Sequence, residues 1–334
     1  MITKNRLGFF ENYSIKVLIL FLIFSPLYFQ SPCSAKDYYR IDVVGDPHLP
    51  GNHPDKKKTV INWLNSNEDT DLVVVVGDLC QLTGTEKELQ FAVNFFADLK
   101  KPVQVMNGNH DYVFQDIDPA SPALVLGSPL SRSKKLCAFL NAFKNNDFFA
   151  SRVVASYSLI FLAPDDLLGN YYSQMSDGQL RWFEYELFKK KNLPTIVFYH
   201  APLWEKKLLA VNPKLGNYMA QPVDAISKIV RDNPQIQLWV CGHVHFGVFH
   251  PMNSKPENIF ENKVPNIINC DLDGRSVLSG VDIKLVSHDG LWTKSLFLYP
   301  DKIVVKVYDH VAKNWIPELE KEYPVSLNSL ENKN

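Results

Sequence analysis

One arrangement recurs along this chain and constrains its fold more than any other: a short apolar run, a sharp turn, then aspartate, asparagine or histidine. The clearest instance is Leu72-Val73-Val74-Val75-Val76, which runs directly into Gly77-Asp78. Consecutive valines without polar alternation suit a strand covered on both faces. Tyr39 to Val44 precedes Gly45-Asp46-Pro47-His48, and Val103 to Met106 precedes Gly108-Asn109-His110-Asp111. Thr195 to Tyr199 leads to His200, and Gln237 to Cys241 leads to Gly242-His243-Val244-His245. Between these runs the apolar spacing turns helical over Lys57–Leu64, Glu86–Leu99 and Val223–Arg231, and Ser176-Asp177-Gly178-Gln179 reads as a capping box opening a helix through Lys190. Such alternation implies β-α units and parallel strands.

In an open α/β sheet, ligands gather beyond the carboxyl ends of the strands. Five strand ends here each deliver a side chain of metal-ligand type. Each motif alone has a plainer explanation. Asp-x-His is commonly a surface turn, and Gly-Asp a helix cap. Gly-Asn-His-Asp can be a tight turn, since Asn and Asp tolerate left-handed backbone. Gly-His-x-His is harder to dismiss, because two histidines on one face of an extended segment favour a metal. Their ordered co-occurrence points to one site. Further along, Val281–Val286, Leu291–Leu298 and Ile303–Val307 are strand-like, separated by Asp289-Gly290 and Pro300-Asp301, and predict added antiparallel strands.

The ordered set Asp-x-His, Gly-Asp, Gly-Asn-His-Asp, His and Gly-His-x-His resembles the calcineurin-like metallophosphoesterase superfamily, over about residues 38–310. The Ser176–Lys190 segment, with Gln179 and Trp182, is similar to a segment of the same family. The resemblance implies an α/β fold, a four-layer α-β-β-α sandwich of two mixed sheets. It also implies two divalent transition-metal ions at the strand ends. Asp46, His48 and His245 would hold one ion, and Asn109, His200 and His243 the other, with Asp78 bridging. His110 would be the acid beside the leaving group, oriented by Asp111. A donor set of imidazole and carboxylate without thiolate suits Mn, Fe, Zn or Ni rather than Ca. Such a centre carries net positive charge, which attracts a phosphate ester and favours attack by a metal-bridging hydroxide. Purple acid phosphatases place tyrosine three residues after the bridging aspartate and glycine where His48 stands; here Gln81 occupies the first position. The pattern therefore resembles the Asp-x-His branch, with class III cyclic-nucleotide phosphodiesterases and assorted bacterial phosphoesterases. A small phosphodiester is the leading substrate class. A phosphomonoester is the alternative, and a non-catalytic scaffold of the same fold is a third reading. Scaffolds of this kind tend to lose ligands, and none is missing here.

The formal net charge is only −1, so no broad basic field exists to hold a nucleic acid. Residues 1–35 read as an export signal: Lys4, Arg6 and Lys16, an apolar run from Val17 to Phe24, then Cys33-Ser34-Ala35 as a cleavage site. That run is shorter than a membrane span needs. Its removal would lower the formal charge from −1 to −3. The expected product is periplasmic or secreted, with a bacterial envelope favoured by the lack of Asn-x-Ser/Thr after Ala35. Residues 36–315 would form the domain and 316–334 a loose tail. Cys80, Cys137, Cys241 and Cys270 have irregular spacing and read as free thiols. Tyr112–Lys135 and Ala201–Ala220 lack a regular pattern and read as loops, each following a site residue. His53, His250, His288 and His310 lie outside the motifs and read as surface or supporting residues.

Overall fold

β1 (Tyr39–Val44), β2 (Leu72–Val76) and β3 (Val103–Met106) lie side by side and parallel in a computed structural model that describes residues 36–277 and 285–325. They are linked through α1 (Pro54–Ser66) and α2 (Glu86–Phe96). The four valines of β2 explain the layering. Val74 and Val76 face a second sheet, while Val73 and Val75 pack under α1 and α2 with Val60, Leu64, Ala92 and Phe95. Each side chain is fully buried, so the strand tolerates no polar alternation. α2 opens on a complete capping box, Thr85 with Glu88.

α3 (Pro129–Phe143) follows, then β4 (Ala150–Val154), β5 (Tyr157–Phe161), α4 (Asp177–Lys189), β6 (Thr195–Phe198), the short α5 (Lys207–Val211), α6 (Val223–Asp232) and β7 (Ile236–Cys241). β8 (Ile259–Phe260) and β9 (Val264–Ile268) complete the second sheet, ordered β4-β5-β6-β7-β9-β8. In it β5, β6, β7 and β9 run parallel, with antiparallel β4 and β8 at the edges. β10 (Arg275–Val277) pairs only with β11 (Leu285–Ser287) among the described residues. β12 (Trp292–Leu298) joins β1 antiparallel, β13 (Lys302–Asp309) joins β12, and β14 (Asn314–Trp315) and β15 (Lys321–Pro324) both pair with β13.

Ile41, Val74, Leu159, Ile196, Phe198 and Leu238 fill the space between the sheets. On the outer face of the second sheet, Val197 and Trp239 pack against Phe183 and Leu187 of α4 and Ile226 of α6. The result is the expected order of helix, sheet, sheet, helix.

Several expectations need correction. The stretch Tyr112–Lys135 is not wholly a loop: Ser128 caps α3, accepting from Ser131 N, and the helix occupies its end. Ala201–Ala220 contains α5 and a 3-10 turn at Pro213–Tyr218. At Ser176 only half of the capping box forms. Its hydroxyl accepts from Gln179 N, but the Gln179 amide bonds Ala163 N and O instead, bracing the end of β5. The supposed loose tail is ordered as far as β15, where Tyr323 registers with Ile303. His310 is buried rather than superficial, with Nε2 2.9 Å from Thr293 Oγ1 and its ring against Trp63. The proposed export signal (1–35), residues 326–334 and part of the expected strand at 281–286 lie outside the described residues. Cys80, Cys137, Cys241 and Cys270 are free thiols, all but Cys137 buried. Among the described residues no helix is long and apolar enough to cross a membrane.

Candidate metal centre

The carboxyl ends of β1, β2 and β3 from one sheet meet those of β6 and β7 from the other. β1 carries Asp46 and His48, β2 carries Asp78, and β3 carries Asn109, His110 and Asp111; β6 delivers His200, and β7 delivers His243 and His245. Eight of these are buried: Asp46, His48, Asp78, Asn109, Asp111, His200, His243 and His245. His110 is half-buried and reaches solvent.

The backbone is strained where it turns in. Asp46, His48, Asp78, His243 and His245 have φ of 34°, 42°, 52°, 69° and 51°. Non-glycine residues avoid this left-handed region, and five occurrences in one cluster mark a place where geometry is held against local preference. Gly242 shows how tight the packing is: a Cβ there would lie 2.2 Å from Asp46 Oδ2. Asp46 in turn accepts the His243 amide through both oxygens, at 3.0 and 2.9 Å, tying the end of β1 to the end of β7.

The side chains fall into two overlapping groups. Asp46, His48, Asp78 and His245 bring one ligand atom each within 4.8 Å of one another, as do Asp78, His200 and His243. Asn109 joins the second group, its Oδ1 3.0 Å from His200 Nε2. Asp78 belongs to both. Its Oδ1 accepts the His110 amide at 2.8 Å, but its Oδ2 is buried with no hydrogen-bond donor. His200 Nε2 lies 3.3 Å and His48 Nε2 3.8 Å from that oxygen, one from each group.

The histidines show the same incompleteness. His48 Nδ1 faces Gln81 O at 3.3 Å, His200 Nδ1 faces Val76 O at 2.8 Å, and His243 Nε2 faces Asn217 O at 2.7 Å. His245 Nδ1 faces the Asp271 carboxylate at 3.4 Å. An oxygen acceptor opposite one ring nitrogen places the proton there and leaves the other nitrogen bare. His48 Nε2 and His245 Nε2 are thereby two lone pairs 3.2 Å apart. Two lone pairs and an unsatisfied carboxylate oxygen, all buried, need a cation between them. These residues therefore fit divalent metal ions.

Electrostatics agree. Burial pushes His48 and His245 well below the usual histidine range, and the Arg275 charge adds to it. His243 is pushed down to about 3 by burial and by His200. All three are thus neutral at neutral pH, the form that binds a metal. His200 goes the other way: burial opposes its charge, but Asp78 outweighs it and raises it to about 9. Burial likewise opposes ionisation of Asp78, yet His200 and His110 hold it well below the carboxylate range.

Asp111 corrects an expectation. It does not touch the His110 ring, whose Nδ1 donates to Leu82 O at 2.6 Å. Its carboxylate accepts from the amides of Gly108 at 2.7 Å, Cys80 at 2.8 Å and Leu79 at 3.3 Å. It fastens the turn after β3 to the turn after β2, the turn that carries Asp78. Gln81 braces the neighbouring loop, accepting from Gly51 N at 3.2 Å.

Three further residues support the site without belonging to any motif. Lys57 is buried in α1 and donates to Pro47 O at 2.7 Å and His48 O at 2.9 Å, clamping the turn after β1. Asp271 follows β9 and faces His245 and His48. Arg275 grips Asp271, with Nε and Nη2 at 2.9 and 2.8 Å from Oδ2. A sixth parallel strand end was the signal available for Asp271, but Pro265 and Asn266 interrupt its apolar run.

Residues 39–247 match the family model described as calcineurin-like phosphoesterase. The glycerophosphodiester phosphodiesterase GpdQ of Enterobacter lignolyticus (strain SCF1) is 28% identical over 197 residues, 56% of this chain and 60% of that protein. The match thus spans less than two thirds of the relative's length. Among solved structures, a dimetal phosphatase from Danio rerio superposes with a TM-score of 0.56 at 12% identity, covering 87% of this chain and 100% of that one. Purple acid phosphatase PPD1 from yellow lupin (Lupinus luteus) gives 0.54 at 14% identity, covering 86% of this chain and 54% of that one. At these identities the structural likeness is one of fold.

Proposed function

Since this chain belongs to the calcineurin-like phosphoesterase family, we propose that it is an exported hydrolase of a small phosphodiester, built around two divalent transition-metal ions. Asp46, His48 and His245 would hold one ion and Asn109, His200 and His243 the other, with Asp78 Oδ2 shared. One observation carries this reading: a buried carboxylate oxygen without a hydrogen-bond partner, Asp78 Oδ2, lying 3.8 Å from His48 Nε2 and 3.3 Å from His200 Nε2, one from each group. Bound there, the ions would supply positive charge for both the attacking and the leaving oxygen of an in-line displacement.

The chain's own residues do the rest. The site-facing ring nitrogens of His48, His200, His243 and His245 are fixed in direction by the acceptors behind them, so the site is organised before anything binds. His110 stands apart from the metal groups. Its Nδ1 is committed to Leu82 O, and its backbone N–H to Asp78 Oδ1. That leaves Nε2 to carry the mobile proton at the solvent-facing side. An alkoxide is a poor leaving group, and a proton from His110 Nε2 would convert it to an alcohol. An anionic phosphate beside the ring favours the imidazolium needed for this step.

A diester is favoured over a monoester by the GpdQ relative, whose name gives a glycerophosphodiester as substrate. Export is supported by the basic, apolar and small-residue order of residues 1–35. The test is a panel of bis(p-nitrophenyl) phosphate, glycerophosphodiesters, cyclic nucleotides and monoesters, with Mn, Fe, Zn and Ni supplied separately. Diester turnover dependent on metal, and abolished by Asp78→Ala or His200→Ala, is the expected result. Wild-type rates in either variant would overturn the assignment. Mass spectrometry of the secreted chain should find it starting after Ala35; an intact Met1 would refute export by cleavage.

A further inference from the structure

We infer that Asp271 and Arg275 act as a positioning pair for the metal centre, fixing His245 so that its Nε2 points at the ion shared with His48. The inference rests on the two-metal reading above. Neither residue belongs to a motif, and neither is placed as a metal ligand.

The geometry runs outward from the centre in three steps. His245 Nε2 meets His48 Nε2 at 3.2 Å, inside the first metal group. On the far side of the same ring, His245 Nδ1 faces Asp271 Oδ2 at 3.4 Å. Behind that oxygen, Arg275 donates from Nε at 2.9 Å, and its Nη2 completes the ion pair at 2.8 Å. All three nitrogens converge on one carboxylate oxygen, and the other oxygen accepts the Asp273 amide.

This occupancy decides what Asp271 can do. Its Oδ2 lies only 3.6 Å from His48 Nε2, close enough for the carboxylate to compete as an extra ligand. Arg275 prevents this by holding Oδ2 from the outer side. The carboxylate is left as an acceptor for His245 Nδ1–H, which sets the tautomer and leaves Nε2 bare. The backbone supports the same register, since Leu272 N donates to Asp46 O at 3.1 Å and binds the Asp271 turn to the turn bearing Asp46. Asp271 is fully buried and Arg275 half-buried, so the pair is walled off on the protein side and open on the other.

The experiment compares wild type with Asp271→Ala, Asp271→Asn, Arg275→Gln and the Asp271→Ala/Arg275→Gln double variant. Affinity for Mn is measured at both sites by chelator competition, and melting is recorded on metal-free protein. The ring nitrogens of His245 are read by 15N NMR without metal. Asp271→Ala should weaken one site by roughly 10- to 100-fold and leave the other within about twofold, the range expected for a ligand's supporting carboxylate. Metal-free melting should fall in Asp271→Ala, which leaves Arg275 unpaired, and recover in part in the double variant. His245 should carry its proton on Nδ1 in wild type and lose that preference in Asp271→Ala, with Asp271→Asn between. The double variant should be no weaker than Asp271→Ala, because Arg275 acts through Asp271. Wild-type affinity at both sites in Asp271→Ala overturns the inference, as does equal loss at both sites. A wild-type protein that takes up fewer than two ions overturns the two-metal reading itself.

Discussion

Gly242→Ala is the smallest change that tests how the centre is held. The new Cβ would stand 2.2 Å from Asp46 Oδ2, 2.9 Å from Cγ and 3.1 Å from Oδ1, whereas ordinary contact begins at 3.4 Å. The carboxylate must therefore retreat by roughly an ångström to restore ordinary contact. It now accepts the His243 amide at 2.9 and 3.0 Å, and such a retreat takes that bond out of range. A hydrogen bond to a charged group contributes about 1.5–3 kcal/mol. Lost from the loaded state, this amounts to roughly 10- to 100-fold in metal affinity. The assay is Mn affinity by chelator competition, with melting of the metal-free protein beside it. Gly178→Ala is the control: its Cβ meets only Ser176 Oγ, at 3.6 Å, and it lies within α4. That variant should keep wild-type affinity and gain up to about 1 kcal/mol from helix propensity. If Gly242→Ala binds metal as tightly as Gly178→Ala, the coupling of Asp46 to His243 is not what holds the centre.

Three other outcomes follow from the same geometry. His110→Ala should slow turnover by roughly 100- to 10,000-fold on alkyl esters, and less on p-nitrophenyl esters that need no acid, while retaining both metals; loss of metal in an elemental assay would give His110 a different role. Asp111→Ala removes the acceptor for three backbone amides, so metal uptake and thermal stability should fall together, by about 2–4 kcal/mol in unfolding free energy. A fall in kcat alone would return Asp111 to orienting His110. His310 is pushed by burial from 6.5 down to about 4, so folding favours its neutral ring. The stability this lends is complete above pH 6.5 and is lost as pH falls through about 4, about 3 kcal/mol in full and somewhat less by pH 4.5. Urea unfolding at pH 7 and 4.5 should show that loss in wild type and not in His310→Gln; equal losses would refute it.

How much the chain disclosed in advance depended on what ended each strand. β1, β2 and β3 were bounded to the residue, because each apolar run stops near a glycine and a polar ligand. β5 (Tyr157–Phe161) is just as buried, but it ends in Leu162-Ala163 and offered no such mark. β9 was hidden by Pro265 and Asn266, and with it Asp271, a lone acid without spacing to distinguish it. α5 is too short to show a period and buries no side chain, and α3 turns inward only Leu136 and Phe139 beside a buried arginine, Arg132, so neither presents a regular apolar face. The ligand identities were legible because a metal imposes residue types. The role of Asp111 was not, because it depends on where three backbone N–H groups point after the chain has turned. Lys57 was hidden likewise: within its helical run nothing distinguishes a buried clamp from a solvated lysine.

The central claim is that one carboxylate oxygen serves two metal ions. An anomalous difference map from crystals loaded with Mn tests it most directly. The account predicts two peaks, one ringed by Asp46, His48 and His245 and the other by Asn109, His200 and His243, with Asp78 Oδ2 between them. A single peak, or two peaks that leave Asp78 Oδ2 without a metal neighbour, would contradict it.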